Sequence, residues 1–325
     1  MRMDLARFCS SARVFIVAGK GGVGKTTVTA TLAATAAGAG LSVLIVEVEG
    51  KSGLAACFGR PPLGYDETEL ARGVRGRTLT PDEALVDYLQ THGLSRISKR
   101  LVRSGALEVV SSAVPGMKDI LVLGKVKALE LDRAADVIII DAPAAGHAIT
   151  FLMSPRGLGD AVRVGPISKQ STDVIEMLSD PARCQVLLVT VPEETPVNEL
   201  VDTAFQLEDR IGVQLGPVVV NACYPEPGAA ASADEVQRLA DEIGVFVSPR
   251  EATDLVAAAE FRHERYALQQ QQADRLAARL PLPQVRLPFL FTAELGPPEI
   301  GVLAATFAAQ VEALPESSLG RVTVR

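Results

Sequence analysis

The sequence predicts an α/β protein with a mainly parallel β-sheet sandwiched by helices. Three observations carry that expectation: short apolar runs recur, helical patterns separate them, and brief Gly/Pro punctuation divides the two. The runs are Val14 to Ala18, Val43 to Val48, Val137 to Ile140, Val186 to Val191 and Val218 to Val220. Uninterrupted aliphatic runs of this length suit central strands covered on both faces. Between Val197 and Phe205, apolar residues at Val197, Val201, Ala204 and Phe205 follow i, i+4, i+7, i+8 spacing, one helical stripe turned to such a sheet. Thr195-Pro196 reads as its cap and first-turn proline.

Two stretches, 65–133 and 154–183, interrupt the alternation and read as mostly helical. Pro81-Asp82-Glu83 opens one helix through Leu89, and Lys118 to Leu131 forms another after the Pro115-Gly116 turn. The expectation is one domain over 1–325, with these two stretches forming a helical insertion subdomain. Pro225 to Ala233 reads as a surface loop, and Gln269 to Gln272 as an exposed helix face.

The 325 residues are 48% hydrophobic and 22% charged, the balance of a folded globular protein. A formal net charge of -7 argues against a nucleic-acid partner, which needs a concentrated basic face. No apolar stretch approaches a membrane span, and Leu319 to Arg325 is too short for an amphipathic anchor, so a cytoplasmic protein without a stable membrane anchor is expected. The four cysteines, Cys9, Cys57, Cys184 and Cys223, lack C-x-x-C spacing and read as separate reduced thiols.

Gly19-Lys20-Gly21-Gly22-Val23-Gly24-Lys25-Thr26-Thr27 satisfies G-x-x-x-x-G-K-[ST] between a predicted strand and a predicted helix. Its glycines let backbone N–H groups converge on a phosphate, and the helix start adds unpaired N–H groups and a positive dipole end. Lys25 then serves the β and γ phosphates, Thr26 ligates Mg2+ and Thr27 reaches the α phosphate. The fold class becomes that of a P-loop NTPase. No N-K-x-D or T-K-x-D guanine-reading motif is present, so ATP or ADP is the expected nucleotide. Asp141 closes the Asp136 to Ile140 run at the carboxyl end of a strand, where ligands of open α/β sheets bind.

Lys20 is not required by an ordinary phosphate loop. KGGVGKTT resembles the deviant loop of MinD, ParA, nitrogenase iron protein and ArsA-type ATPases. Further segments narrow the resemblance to the ArsA-like anion-transporting and tail-anchored-protein targeting ATPases. Asp141-Ala142-Pro143-Ala144-Ala145-Gly146-His147 is similar to that family's D-T-A-P-T-G-H switch II, departing at Pro143 and the alanines. Val114-Pro115-Gly116-Met117 is similar to its P-G-[IM]-x-[DE] segment, and Val191-Pro192-Glu193 to its V-x-[IV]-P-E. Pro288-Phe289-Leu290 with Glu294 resembles its base-covering P-L-L-x-x-E loop. The actinobacterial branch, often encoded as paralogous pairs, is the most similar.

The resemblance implies roles. Lys20 reaches a dimer partner's nucleotide, Asp141 holds Mg2+ through water, and Asn221 reads the adenine with Pro288, Phe289 and Leu290. Glu49 stands where the family's water-positioning aspartate falls, one methylene longer, which implies slow hydrolysis; Glu47 projects to the same side of the strand and is the alternative. A homodimer or a heterodimer with a paralogous ATPase is implied, coupling ATP hydrolysis to a protein or anion client. The other implied reading is a weakly active nucleotide-bound partner of a hydrolysing paralog. Scattered cysteines supply no obvious trio for arsenite.

Overall fold

The computed structural model describes residues 3–48, 53–91, 93, 96, 98, 116–143, 145–161, 166–229 and 231–316. Its sheet has nine strands among them, in the order β3-β4-β2-β5-β1-β6-β8-β9, with β7 pairing β6. The strands are β1 (Val14–Gly19), β2 (Val43–Val48), β3 (Thr68–Ala71), β4 (Val74–Leu79), β5 (Val137–Asp141), β6 (Cys184–Thr190), β7 (Gln214–Leu215), β8 (Val218–Cys223) and β9 (Gln284–Pro288). Every pairing is parallel except β3 with β4. Each apolar run is a strand, and every residue of β1, β5 and β6 is buried, as expected of strands covered on both faces.

Alternation along the strands divides the core in two. Val14, Ile16 and Ala18 face one cluster, while Phe15 and Val17 face the other. Helices α1 (Leu5–Cys9), α2 (Lys25–Gly38) and, at the far end of the chain, Pro297–Ala313 cover the second face. After β4 comes α3 (Pro81–Thr91), and the first face then carries α4 (Met117–Leu131), α5 (Ala145–Ala161), α6 (Pro166–Ser179) and α7 (Glu194–Ile211). The chain then adds α8 (Ala233–Glu242), α9 (Pro249–Arg279) and α10 (Pro297–Ala313).

The connection after β1 runs by α2 to β2 on one side, and the connection after β5 runs by α5 and α6 to β6 on the other. The chain therefore diverges at the carboxyl ends of β1 and β5, a topological switch point where the sheet leaves a crevice.

Three expectations need correction. The stretch 65–133 is not helical from its start: β3 and β4 occupy 68–71 and 74–79, and β4 lies parallel to β2. Glu69 on the edge strand β3 and Arg75 and Arg77 on β4 beside it interrupt the apolar run that marks a central strand. Nor is the helical region only an appendage, because Val122, Leu123 and Val126 of α4 and Val174, Met177 and Leu178 of α6 belong to the sheet's own core. Among the described residues of this region α3 stands off, sharing a small cluster of Ala84, Leu85 and Leu89 with Leu121 of α4. The P-G turn residue Pro115 lies outside the described residues. Finally, α7 starts at Glu194 with Glu193 in the extended cap position, which puts Pro196 in the first turn, where its missing N–H leaves no intrahelical bond unmade.

Candidate functional site

The loop between β1 and α2 has the backbone that the glycines anticipate. Gly22 and Gly24 hold φ of 85° and 86°, left-handed values that cost side-chain-bearing residues energy. A Cβ on Gly24 would lie 2.2 Å from Asn221 Nδ2, which donates to the Val23 carbonyl at 3.0 Å. No side chain caps the first turn of α2, so its N–H groups are directed at the loop. Lys25 folds back over that loop, its Nζ 3.2 Å from the Lys20 carbonyl oxygen. Burial pulls the Lys25 ammonium below its ordinary value, with the charge of Asp141 working the other way.

Asp141, at the end of β5, is the second pole of the site. It is 4% exposed, and its Oδ2 accepts from Thr26 Oγ1 at 2.8 Å while Oδ1 accepts from Thr29 Oγ1 at 3.4 Å. Thr26 is in the first turn of α2, so β1's loop and β5's carboxyl end converge across the switch point. A hydroxyl and a carboxylate are the hard oxygen donors that suit Mg2+, which keeps several of its waters and needs few protein ligands. Among the described residues no group of three or more His, Cys, Asp or Glu side chains could hold a metal ion, so this pair with bound phosphate is the donor set that fits. Cys57 is also close enough to feel Asp141: burial first, then that carboxylate's charge, raise its thiol above the ordinary value.

Glu49 lies outside the described residues. Glu47 of β2 is in register with Asp141 of β5 and with Thr78 of β4, and its Oε2 accepts from Thr78 Oγ1 at 2.8 Å. Two buried carboxylates thus sit on adjacent parallel strands, on the face of the sheet that α2 covers.

The base-side residues predicted from the sequence also come together. Cys223 of β8 is in register with Pro288 of β9, and Phe289 donates its N–H to the Cys223 carbonyl at 2.7 Å. Leu290 accepts from the Thr292 N–H. Two aromatic residues not anticipated join them: the Tyr224 ring lies 5.3 Å from Phe289 and 5.7 Å from Phe291, and Phe289 and Phe291 are 4.9 Å apart, edge to face. Gln269 is a further residue missed, and the expectation that it is exposed is wrong: it is 6% exposed. The signal was its spacing of four and seven from Ala273 and Leu276, which are buried on the same stripe of α9.

Lys20 points to neither Asp141 nor Lys25 but to α7, where Glu199 holds it. A cavity of about 740 Å³ lies among α3, α4 and α6, and its walls include Tyr88, Lys125 and Lys169 but none of the predicted site residues. Size alone does not make it the candidate site; the convergence of Lys25, Thr26 and Asp141 makes the carboxyl ends of β1 and β5 the candidate.

Comparison with known proteins gives the family. The family model described as anion-transporting ATPase matches residues 12–170, from β1 through the first turn of α6. ATPase BagA of Mycobacterium tuberculosis is 34% identical over 249 residues, covering 72% of this chain and 73% of its own length. An arsenical pump-driving ATPase of Acidiphilium multivorum is 28% identical over 240 residues, 65% of this chain and 39% of its own.

Proposed function

Because the chain belongs to the ArsA family of anion-transporting ATPases, we propose that it binds ATP or ADP with Mg2+ on the Gly21 to Thr27 loop and hydrolyses ATP there, residues 1–325 forming one ATPase domain. The observation that carries the reading is the 2.8 Å contact between Thr26 Oγ1 and Asp141 Oδ2 beside the Lys25 ammonium. It brings a cation and two oxygen donors to one side of a glycine loop.

In this reading the peptides of Gly21, Gly22, Val23 and Gly24 and the open first turn of α2 cradle the phosphates. Lys25 neutralises the β and γ phosphates, and its burial makes that charge effective because little water screens it. Thr27 serves the α phosphate. Thr26 and Asp141 would hold Mg2+, which supplies positive charge to the phosphate oxygens. Glu49 orients the attacking water, with Glu47 as the alternative; catalysis of phosphoryl transfer is chiefly positioning, so the longer glutamate makes turnover slow. Adenine lies at Asn221, Pro288, Phe289 and Leu290.

We assign Lys20 to the nucleotide of a second subunit in an ATP-bound dimer, homomeric or with a paralogous ATPase. The client is a protein or an anion. Among the described residues, a three-thiolate arsenite site finds no support, because Cys9 and Cys57 pack on one face of the sheet and Cys184 and Cys223 on the other.

Calorimetric titration with Mg-ATP and Mg-ADP, paired with phosphate release, tests the core of this proposal. Nucleotide binding to wild type but not to Lys25→Ala supports it; unchanged affinity in the variant would remove the loop as the site. Native mass spectrometry from the source cell identifies the dimer partner.

A further inference from the structure

Gln269 lies on α9, whose amino-terminal half is largely exposed, yet its carboxamide is buried against the segment that leaves β8. Its Oε1 accepts from the Tyr224 N–H at 2.7 Å and its Nε2 donates to the Ala222 carbonyl at 3.3 Å. One side chain thus satisfies a donor and an acceptor two residues apart. At the first of these anchors the chain makes an unusual turn: Ala222 has φ of 57°, the left-handed region, which an alanine adopts only when its surroundings impose it.

Both neighbours of that turn face the nucleotide site. Asn221, immediately before Ala222, donates its Nδ2 hydrogen to Val23 within the phosphate loop. With Nδ2 committed, the amide cannot flip without losing that bond, so Oδ1 is the atom it offers to a base. An acceptor there matches the exocyclic amino group of adenine and opposes the carbonyl oxygen that guanine carries in its place. Tyr224, just beyond, carries its ring against Phe289 and Phe291.

We propose that Gln269 is a positioning residue of the nucleotide site, fixing the Asn221 to Tyr224 turn so that Asn221 presents an acceptor to the base and a donor to the phosphate loop. The inference rests on the reading of this site as an ATP site. Gln269 touches neither base nor phosphate; it acts through two peptide groups. Its loss leaves a partly buried N–H and a partly buried carbonyl without that partner and lets Ala222 relax to negative φ, which turns Asn221.

The experiment uses the full chain with Gln269→Leu, which removes both bonds, and the near-isosteric Gln269→Glu, whose carboxylate accepts from Tyr224 but cannot donate to Ala222. Dissociation constants for Mg-ATP, Mg-ADP and Mg-GTP are measured by calorimetry, alongside thermal unfolding without nucleotide. The expected result is a loss of about tenfold or more in ATP affinity and a fall in the ATP-to-GTP preference by a similar factor, since one buried hydrogen bond is worth about that much. Hydrogen exchange at Tyr224 and at the phosphate-loop amides should quicken together. A wild-type preference in both variants, with only the unfolding temperature lowered, makes Gln269 a packing residue and overturns the inference while leaving the ATP site intact. Should Gln269→Leu fail to fold, Gln269→Glu decides alone. Wild-type protein that binds neither nucleotide sinks the underlying reading, and this inference with it.

Discussion

Lys20 and Glu199 form an ion pair within a single chain, Nζ to Oε1 at 2.7 Å, with the two side chains 39% and 44% exposed. A pair this open contributes at most about 1 kcal/mol. Under the trans role proposed for Lys20, a phosphate oxygen of a second subunit would therefore displace Glu199 at small cost. Lys20→Ala is expected to keep ATP affinity within about tenfold and to cut turnover by at least about 100-fold, since a cation delivered in trans contributes about 10^3 to 10^5 in rate. Glu199→Gln should strengthen ATP-driven dimerisation, by no more than about fivefold, the factor equivalent to the pair's energy. Sedimentation with ATP and steady-state phosphate release check both. Monomers under all conditions, with full activity in Lys20→Ala, would refute the trans role.

Lys25 differs from Lys20 in kind. It is partly buried over the loop, and burial already disfavours its charge unless an anion is present. Lys25→Ala should lose nucleotide affinity by about 100-fold or more as well as turnover, because the phosphates lose their nearest cation in a poorly screened site. Calorimetry on the two lysine variants side by side separates binding from chemistry: Lys25→Ala fails in both, Lys20→Ala in the second alone.

The Asp141 carboxylate holds the Thr26 and Thr29 hydroxyls in this structure. Asp141→Asn preserves shape but removes the negative charge that a divalent cation needs. Its turnover should fall by at least about 100-fold while the Mg2+ concentration for half-maximal activity rises, and chelation of Mg2+ should silence wild type. A Mg2+ titration of both proteins decides; equal half-saturation would separate Asp141 from the metal.

How much of this was legible in the sequence depended on which signal each element left. Central strands announce themselves because burial on both faces demands aliphatic runs, so β1, β2, β5, β6 and β8 could be read. The β3–β4 hairpin could not, since Glu69 on the edge strand and Arg75 and Arg77 on its neighbour break any aliphatic run. The phosphate loop and Asp141 follow from local spacing and strand ends. Asn221's bond to Val23 spans 198 residues, and Gln269's clamp on Ala222 and Tyr224 spans 47 and 45. Contacts of that kind come from topology. A glutamine in a run of four looks like solvent-facing helix until β8 is packed beneath it.

Gly24 is a strict requirement of two contacts at once. Its φ of 86° disfavours any side chain, and a Cβ would press on the Asn221 amide at 2.2 Å. Gly24→Ala should weaken nucleotide binding by at least about tenfold through displacement of Asn221, the left-handed strain alone being about 1 to 2 kcal/mol. Gly22 has a similar φ of 85° but no neighbour within 4 Å of a Cβ, so Gly22→Ala should be the milder of the two. Comparing ADP affinities of the two variants tests whether the Asn221 contact, beyond backbone strain, matters.

The thiols give the molecule an alkaline weakness. Burial first, then the charge of Asp4, pushes Cys9 up to about 12; burial likewise pushes Cys184 up to about 12, with Arg183 opposing. An unfolded thiol ionises near about 8.5. Between these values the native chain retains protons that the unfolded chain gives up, so stability must fall as pH rises. The contribution is complete below about 8.5 and is lost as pH climbs toward 12, amounting to about 2 kcal/mol per thiol by pH 10. Urea midpoints at pH 8 and pH 10 should therefore move apart in wild type by more than in Cys184→Ala, whose unfolded state has one fewer thiol to ionise. The cavity left by that substitution lowers both midpoints and leaves their difference to report the titration. An identical pH dependence in the two proteins would mean that the Cys184 thiol ionises in the native state as readily as in the unfolded chain, against what its full burial requires.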